Sequence, residues 1–540
     1  VGPVEIGYLK IAVGEACYIY DTATNDLVRV DRSVYTILDD YFKYDVKTLK
    51  QKYQSILSPN KFRFAIRFLN HARNEHNMFQ PFFQKDFSEY LDRPFLRSIL
   101  ADNSRRLMLN VTEQCNQRCA YCFYSGSYAG RRTHKNRFMS WDVAKGSIDY
   151  FFSHSRKVKN PAVGFFGGEP LLNWSLIKRC IDYIHTKKAK KKPTLYIATN
   201  GLLLNDPIID YLIDNNVILC VSLDGPAHVH NSSRILPNGK GTYQKVLHKL
   251  KKIKKKSPEY LTTHVSINCT YDLNKDLLEV FQYFSKDFFY DLQVRTRTIR
   301  EFDTKAYSAT RTKEQQFQKS LDKLIDRYLK SLSTSKQFNY SFLYHLLIRT
   351  FQVLPKRETG VADIFQRPNK ACIPGVSQLF VSTEGLFYTC DNFCPIGYEI
   401  GHYQTGIDIE KVYQLLEKYI HFCEDMCQRC WAYRLCSLCF IHTLEKGIMN
   451  KKRKQEHCVR EKKRIKMDLR RFVYIWENEP ENAIYNRYSL HARAARNPSA
   501  LKPKILKNIQ TPIRLRPLSS GLKVNMEELQ NIIKPGSYEL

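Results

Sequence analysis

Three cysteines fall within eight residues at Cys115, Cys119 and Cys122, with three and then two residues between them. They follow the short apolar run 107–112, so they belong to a loop leaving a strand. An iron-sulfur cubane usually takes four cysteines. Three thiolates on one tight loop hold three irons and leave the fourth open to a chelating cofactor. A second field holds nine more cysteines: Cys372, Cys390, Cys394, Cys423, Cys427, Cys430, Cys436, Cys439 and Cys458. Taken alone, the paired cysteines from Cys427 to Cys439 would also suit tetrahedral zinc. Cys17, Cys180, Cys220 and Cys269 stand singly on strand or helix positions and read as small buried apolar residues.

The elements that must position the first loop alternate from 105 to about 300. Strands are expected at 105–111, 162–166, 194–198, 217–222, 263–269 and 292–296, with helices at 140–154, 174–187, 206–214, 242–255 and 274–285. Repeated strand–helix units imply an α/β fold with a parallel sheet, whose site gathers at the carboxyl ends of the strands. Polar or glycine-rich segments occur at those ends: Gly167-Gly168-Glu169-Pro170, Thr199-Asn200-Gly201 and Ser222-Leu223-Asp224-Gly225. Paired glycines let a backbone pass close to a ligand.

Ahead of this region, strands at 16–20 and 27–30 and helices near 32–41 and 59–75 suggest a small α+β unit. Residues 301–365 read as a helical bridge, and Gly385 sits in a hairpin between two strand-like runs. Beyond Phe472 the chain is basic and punctuated by prolines, with one short helix near 526–533. The expected partition is 1–100, 101–300, 301–365, 366–465 and 466–540.

With 540 residues, 43% of them hydrophobic, the chain is long and apolar enough for several packed domains. No apolar run approaches the roughly 18 to 20 residues of a membrane helix, and no secretory signal is visible. Sixteen cysteines without such a signal point to metal binding in a reducing cytoplasm. The formal charge of +32 attracts anionic partners of any kind. The basic runs at 187–192, 249–256 and 453–471 read as solvated faces.

The cysteine triplet, with Tyr121 before its third member, resembles the signature of the radical S-adenosylmethionine (SAM) enzymes, and the strand-end segments resemble that family's SAM pocket. The resemblance implies a partial (β/α)6 barrel. Cys115, Cys119 and Cys122 would carry a [4Fe-4S] cluster. Tyr121, Gly167, Gly168, Glu169, Asn200 and Ser222 would line the SAM pocket, with Glu169 on the methionine amino group and Arg234 on the carboxylate. The second field resembles the SPASM domain. By that likeness Cys372, Cys390 and Cys439 would hold one auxiliary cluster, with Cys394 or Cys423 as fourth ligand or an iron open to a substrate thiolate. Cys427, Cys430, Cys436 and Cys458 would hold another. Asp391 matches a carboxylate base of the sulfatase-maturing members. The N-terminal unit resembles the winged-helix-like leader-recognition domain of peptide-modifying enzymes.

Together these imply a peptide maturase that forms a thioether in a ribosomal precursor peptide through a 5′-deoxyadenosyl radical. Its electrons would come from a flavodoxin or ferredoxin type donor, with no membrane or nucleic-acid partner. Oxidation of a sulfatase Cys or Ser to formylglycine, RNA modification, and a non-enzymatic electron carrier or zinc-stabilised protein are the competing readings.

Overall fold

The computed structural model describes residues 6–81, 91–128, 132–188, 192–299, 310–332, 338–355, 357, 359–360 and 371–478. The helix expected near 526–533, and most of the basic tail, lie outside them.

The N-terminal unit contains three antiparallel strands in the order β1 (Tyr8–Val13), β2 (Ala16–Asp21) and β3 (Leu27–Val30). Strand β1 was not expected. Its burial alternates weakly, and its register comes from the two-residue turn that pairs Val13 with Ala16 across Gly14, at φ +57. Helices Arg32–Tyr41, Val46–Tyr53 and Pro59–Asn74 follow, the middle one also unexpected. Cys17, Ile19, Val28 and Val30 pack one sheet face on these helices. Ile11, Tyr18, Tyr20 and Leu27 pack the other on Ala432, Leu435 and the long helix Lys451–Asn478. With both faces covered, this unit is fastened to the second cysteine field rather than tethered to it.

Six parallel strands form the central region: β4 (Arg106–Thr112), β5 (Ala162–Gly167), β6 (Thr194–Thr199), β7 (Ile218–Ser222), β8 (Val265–Tyr271) and β9 (Gln293–Thr298). All lie within two residues of their expected bounds. Their periodicity explains why: Leu107, Leu109 and Val111 of β4 enter the core beneath the helices, while Met108 belongs to a separate cluster on the opposite face. The helices start at caps that the sequence provides, such as Ser140 accepting from the Val143 N–H and Asn205 from the Ile208 N–H.

The sheet does not stop at β4. Strands β10 (Leu379–Val381), β11 (Leu386–Tyr388), β12 (Gly401–His402) and β13 (Gly406–Ile407) extend it to ten strands in the order β13-β12-β11-β10-β4-β5-β6-β7-β8-β9. Strand β10 lies parallel to β4, and Gly385, at φ +89, turns the chain into antiparallel β11. The second cysteine field is thereby continuous with the strand that feeds the first. No helix among the described residues is long and apolar enough to cross a membrane.

Candidate functional site

Cys115, Cys119 and Cys122 leave β4 on a loop held by its own backbone: Gln117 N–H donates to Cys115 Sγ and Tyr124 N–H to Cys122 Sγ, each at 3.4 Å. Burial pushes the Cys115 thiol up to about 12 and the Cys119 thiol to about 11, and the neighbouring cysteines add to the shift at both. Such thiols ionise only when a cation compensates them, which is what metal ligation provides.

The glycines of the 167–170 segment allow a close approach within the chain itself. A Cβ on Gly168 would meet the Gln114 carbonyl oxygen at 2.2 Å, and one on Gly167 the Thr112 oxygen at 2.1 Å. Gly168 N–H donates to Thr112 O and Glu169 N–H to Gln114 O, both at 2.9 Å. The close approach is therefore to the backbone of the cysteine loop, which these glycines press against β5.

Glu169 is fully buried. Its carboxylate accepts from Thr199 Oγ1 at 2.6 Å, Asn200 N–H at 2.8 Å and Leu171 N–H at 3.1 Å. A carboxylate offers about four acceptor positions, so one, on Oε2, is left. Burial raises its pKa to about 7 despite those donors. Asn200 donates from Nδ2 to Asn116 Oδ1 at 2.7 Å, which places it against the cysteine loop.

Arg234 does not stand alone. Its Nε donates to Asp224 Oδ2 at 2.8 Å, the same oxygen that accepts from the Tyr121 hydroxyl at 2.5 Å, while Thr270 N–H donates to Oδ1 at 3.0 Å. The guanidinium lies 5.4 Å over the Tyr121 ring and 4.0 Å from Cys119 Sγ. Its Nε is committed to Asp224, and Nη1 is turned toward Cys119 Sγ. Beneath this group His230 accepts from Asp224 N–H through Nδ1 and meets Thr242 Oγ1 through Nε2 at 2.9 Å. Thr242 in turn donates to Arg234 O and accepts from Gln117 Nε2. A neutral imidazole protonated on Nε2 satisfies every bond, in keeping with burial lowering its pKa to about 4. Ser222 ends β7 level with Asn268, half-buried beside this network.

The second field divides into two sets. Cys390 feels Cys372 and Cys439, whereas Cys436 and Cys458 feel Cys427, and Cys458 also feels Cys430. Among the described residues no three His, Cys, Asp or Glu side chains converge on one ion. In a cubane each cysteine binds its own iron, so thiols stand farther apart than around zinc.

Cys423 lies with Cys427 and Lys454, and is not placed to complete the Cys372 set as the spacing had allowed. Cys394 packs on Met108, Phe380 and Tyr388, with its thiol toward Asp391 O at 3.3 Å. Asp391, next to Cys390, accepts from Gln378 Nε2 at 2.7 Å, and its charge adds to the rise that burial gives the pKa of Tyr196 on β6. Cys220 is buried but polar in its surroundings, with Ser266 Oγ at 3.3 Å and Arg295 Nη1 at 3.7 Å from its sulfur. Cys180 and Cys269 lie in the main apolar core, and Cys17 in that of the N-terminal unit.

Residues 109–283, which span both the cysteine loop and Arg234, match the model of the radical SAM superfamily. These residues form a radical SAM domain. Among the chain's relatives is the cysteine-type anaerobic sulfatase-maturating enzyme of Clostridium novyi, 24% identical over 55% of this chain and 75% of the relative. Another is the radical SAM cyclopropyl synthase TigE of Paramaledivibacter caminithermalis, 27% identical over 37% of this chain and 43% of TigE, under half its length. The solved structure of histidine-tagged anSMEcpe with bound AdoMet superposes with a TM-score of 0.53 and 17% identity, covering 72% of this chain and 98% of that one, a likeness of fold.

Radical SAM chemistry requires a [4Fe-4S] cluster and SAM, and the residues present fit both. Three half-buried thiols share one loop, Glu169 keeps one acceptor position, and the buried Asn110 amide has no hydrogen-bond partner at either polar atom. Asp224 is the residue that sequence reasoning passed over within a segment it had singled out. Its signal was an acid ten residues before a buried arginine. Arg132 was missed altogether. It ion-pairs with Glu113 at 3.1 Å and donates to the Tyr388 hydroxyl at 2.7 Å, tying the cysteine loop to β11.

Proposed function

We propose that this radical SAM enzyme modifies a ribosomally made, cysteine-containing precursor peptide, joining the cysteine sulfur to a carbon in a thioether. The observation that carries the reading is the parallel pairing of β10 with β4, together with Asp391, next to Cys390 in the chain, whose charge reaches Tyr196 of β6. When bound, SAM and the clusters supply one-electron cleavage, hydrogen-atom abstraction and a sink for electrons. Cys115, Cys119 and Cys122 hold the first cluster, Glu169 and Arg234 take the amino and carboxylate groups of SAM, and Asn200 and Ser222 line its pocket. Cys372, Cys390 and Cys439 hold one auxiliary cluster, and Cys427, Cys430, Cys436 and Cys458 a second.

Thioether formation removes a hydrogen atom from carbon and a proton and an electron from the substrate thiol as the carbon–sulfur bond forms. Asp391, oriented by Gln378, is the base for that proton. The leader segment adds as a further strand to β3, which pairs only with β2 among the described strands. The basic surface suits an acidic donor of the flavodoxin or ferredoxin type.

A second reading, formylglycine formation, is favoured by the same Asp391 and by the sulfatase-maturating relative. Mass spectrometry of candidate peptides after incubation with SAM and a reductant separates the two. A loss of two hydrogens with the thiol made unreactive supports the thioether. An aldehyde on a sulfatase peptide with no change in any cysteine-containing precursor overturns it.

A further inference from the structure

Lys454 belongs to the helix Lys451–Asn478, basic along much of its length, yet its side chain is 0% exposed. The ammonium donates to Cys423 Sγ and lies 4.4 Å over the Tyr419 ring. Two other cations with largely buried side chains are matched by acids, Arg234 by Asp224 and Arg471 by Asp322. Among the described residues, Lys454 has no carboxylate within ion-pair reach. The groups that face it are Cys423, Cys427 and Cys458, and Cys423 in turn hydrogen-bonds Cys427. A buried ammonium without a counter-charge is strongly unfavourable. The ammonium is directed at sulfur, in a packed environment closed by the Tyr419 ring.

We propose that Lys454 and Cys423 form a charge-compensating hydrogen-bond chain onto the iron–sulfur cluster held by Cys427, Cys430, Cys436 and Cys458, and that this chain raises its reduction potential. The inference rests on the reading that this set holds a cluster. Four thiolates make such a cluster anionic, and reduction adds a further negative charge. A fixed cation beside it therefore stabilises the reduced form more than the oxidised one, and hydrogen bonds to ligand sulfur act in the same direction. Cys423 is accordingly a relay and not a fifth ligand: Lys454 donates to its sulfur, and its own S–H points to Cys427. An acceptor poised in this way takes an electron from a substrate radical more readily than an uncompensated cluster would.

The test uses the full chain carrying Cys115→Ala, Cys119→Ala and Cys122→Ala, so that only second-field clusters contribute, reconstituted with iron and sulfide. Iron content and an EPR-monitored potentiometric titration are measured with and without Lys454→Met, Lys454→Arg and Cys423→Ser. One signal is expected to move to more negative potential in Lys454→Met, by less in Cys423→Ser, and to stay near its original position in Lys454→Arg. Retained iron with an unmoved potential in Lys454→Met overturns the role of Lys454. Absence of second-field iron in the parent overturns the cluster reading itself. If Lys454→Met loses iron, Cys423→Ser decides: a negative shift supports the chain and none overturns it.

Discussion

Replacing Asp224 by asparagine keeps the shape of the side chain and removes the charge that Arg234 is buried against. In the native protein the carboxylate accepts from Arg234, Tyr121 and Thr270, and Arg234 is only 7% exposed. After Asp224→Asn the remaining neighbours of the guanidinium are a thiol at 4.0 Å and an aromatic ring at 5.4 Å, neither a full counter-charge. Breaking a buried pair by removing one partner costs about 3 to 5 kcal/mol. At about 1.4 kcal/mol per factor of ten, that is a rise of roughly a hundred- to several-thousand-fold in local opening. Unfolding of a chain this large is not two-state, so the suitable assay is hydrogen exchange read by mass spectrometry on peptides covering 219–236. Protection in the metal-free protein should fall by that factor, and Asp224→Leu with Arg234→Met should restore much of it, because an apolar pair leaves no stranded charge. Exchange within about threefold of wild type, less than about 1 kcal/mol, would refute the claim that this pair holds the pocket wall.

Glu169 has a folded pKa near 7, above the usual carboxylate value, so the metal-free folded state holds its proton longer than the unfolded chain does. Its contribution to stability is fully present below the ordinary value and is lost as pH rises toward 7. Because the ionised form is the one that pairs with an ammonium, SAM affinity of the reconstituted enzyme should fall about tenfold per pH unit below 7, and Glu169→Gln should bind weakly without that slope. Isothermal titration between pH 5.5 and 8 checks both. Gly168→Ala puts a methyl 2.2 Å from a backbone oxygen and should loosen the cysteine loop, seen as partial loss of first-cluster iron after reconstitution. Cys119→Ala should abolish SAM cleavage, measured as 5′-deoxyadenosine, while leaving second-field iron in place. Turnover in that variant would remove the loop from the mechanism. Arg132→Met should leave SAM cleavage within a few-fold but uncouple it from peptide product, since Arg132 ties the cysteine loop to β11.

The cysteine spacing, the strand-end motifs and the six parallel strands were legible in the sequence because each is a local pattern. Alternation along β4, capping at Ser140 and Asn205, and three thiols in one loop depend only on near neighbours in the chain. What the glycines at 167 and 168 press against was not legible, since Thr112 and Gln114 lie more than fifty residues upstream. The same holds for the acid that Arg234 needs, for the tie between Arg132 and β11, and for the addition of β10 to the edge of β4. Lys454 is the clearest case. On a helix this basic, sequence reads every lysine as solvated, and only packing against Cys423 and Tyr419 turns one of them inward. Residue types and their spacing determined the chemistry this protein can carry. The tertiary structure decided which charges meet, because burial changes the worth of a charge and burial is set by contacts between distant parts of the chain.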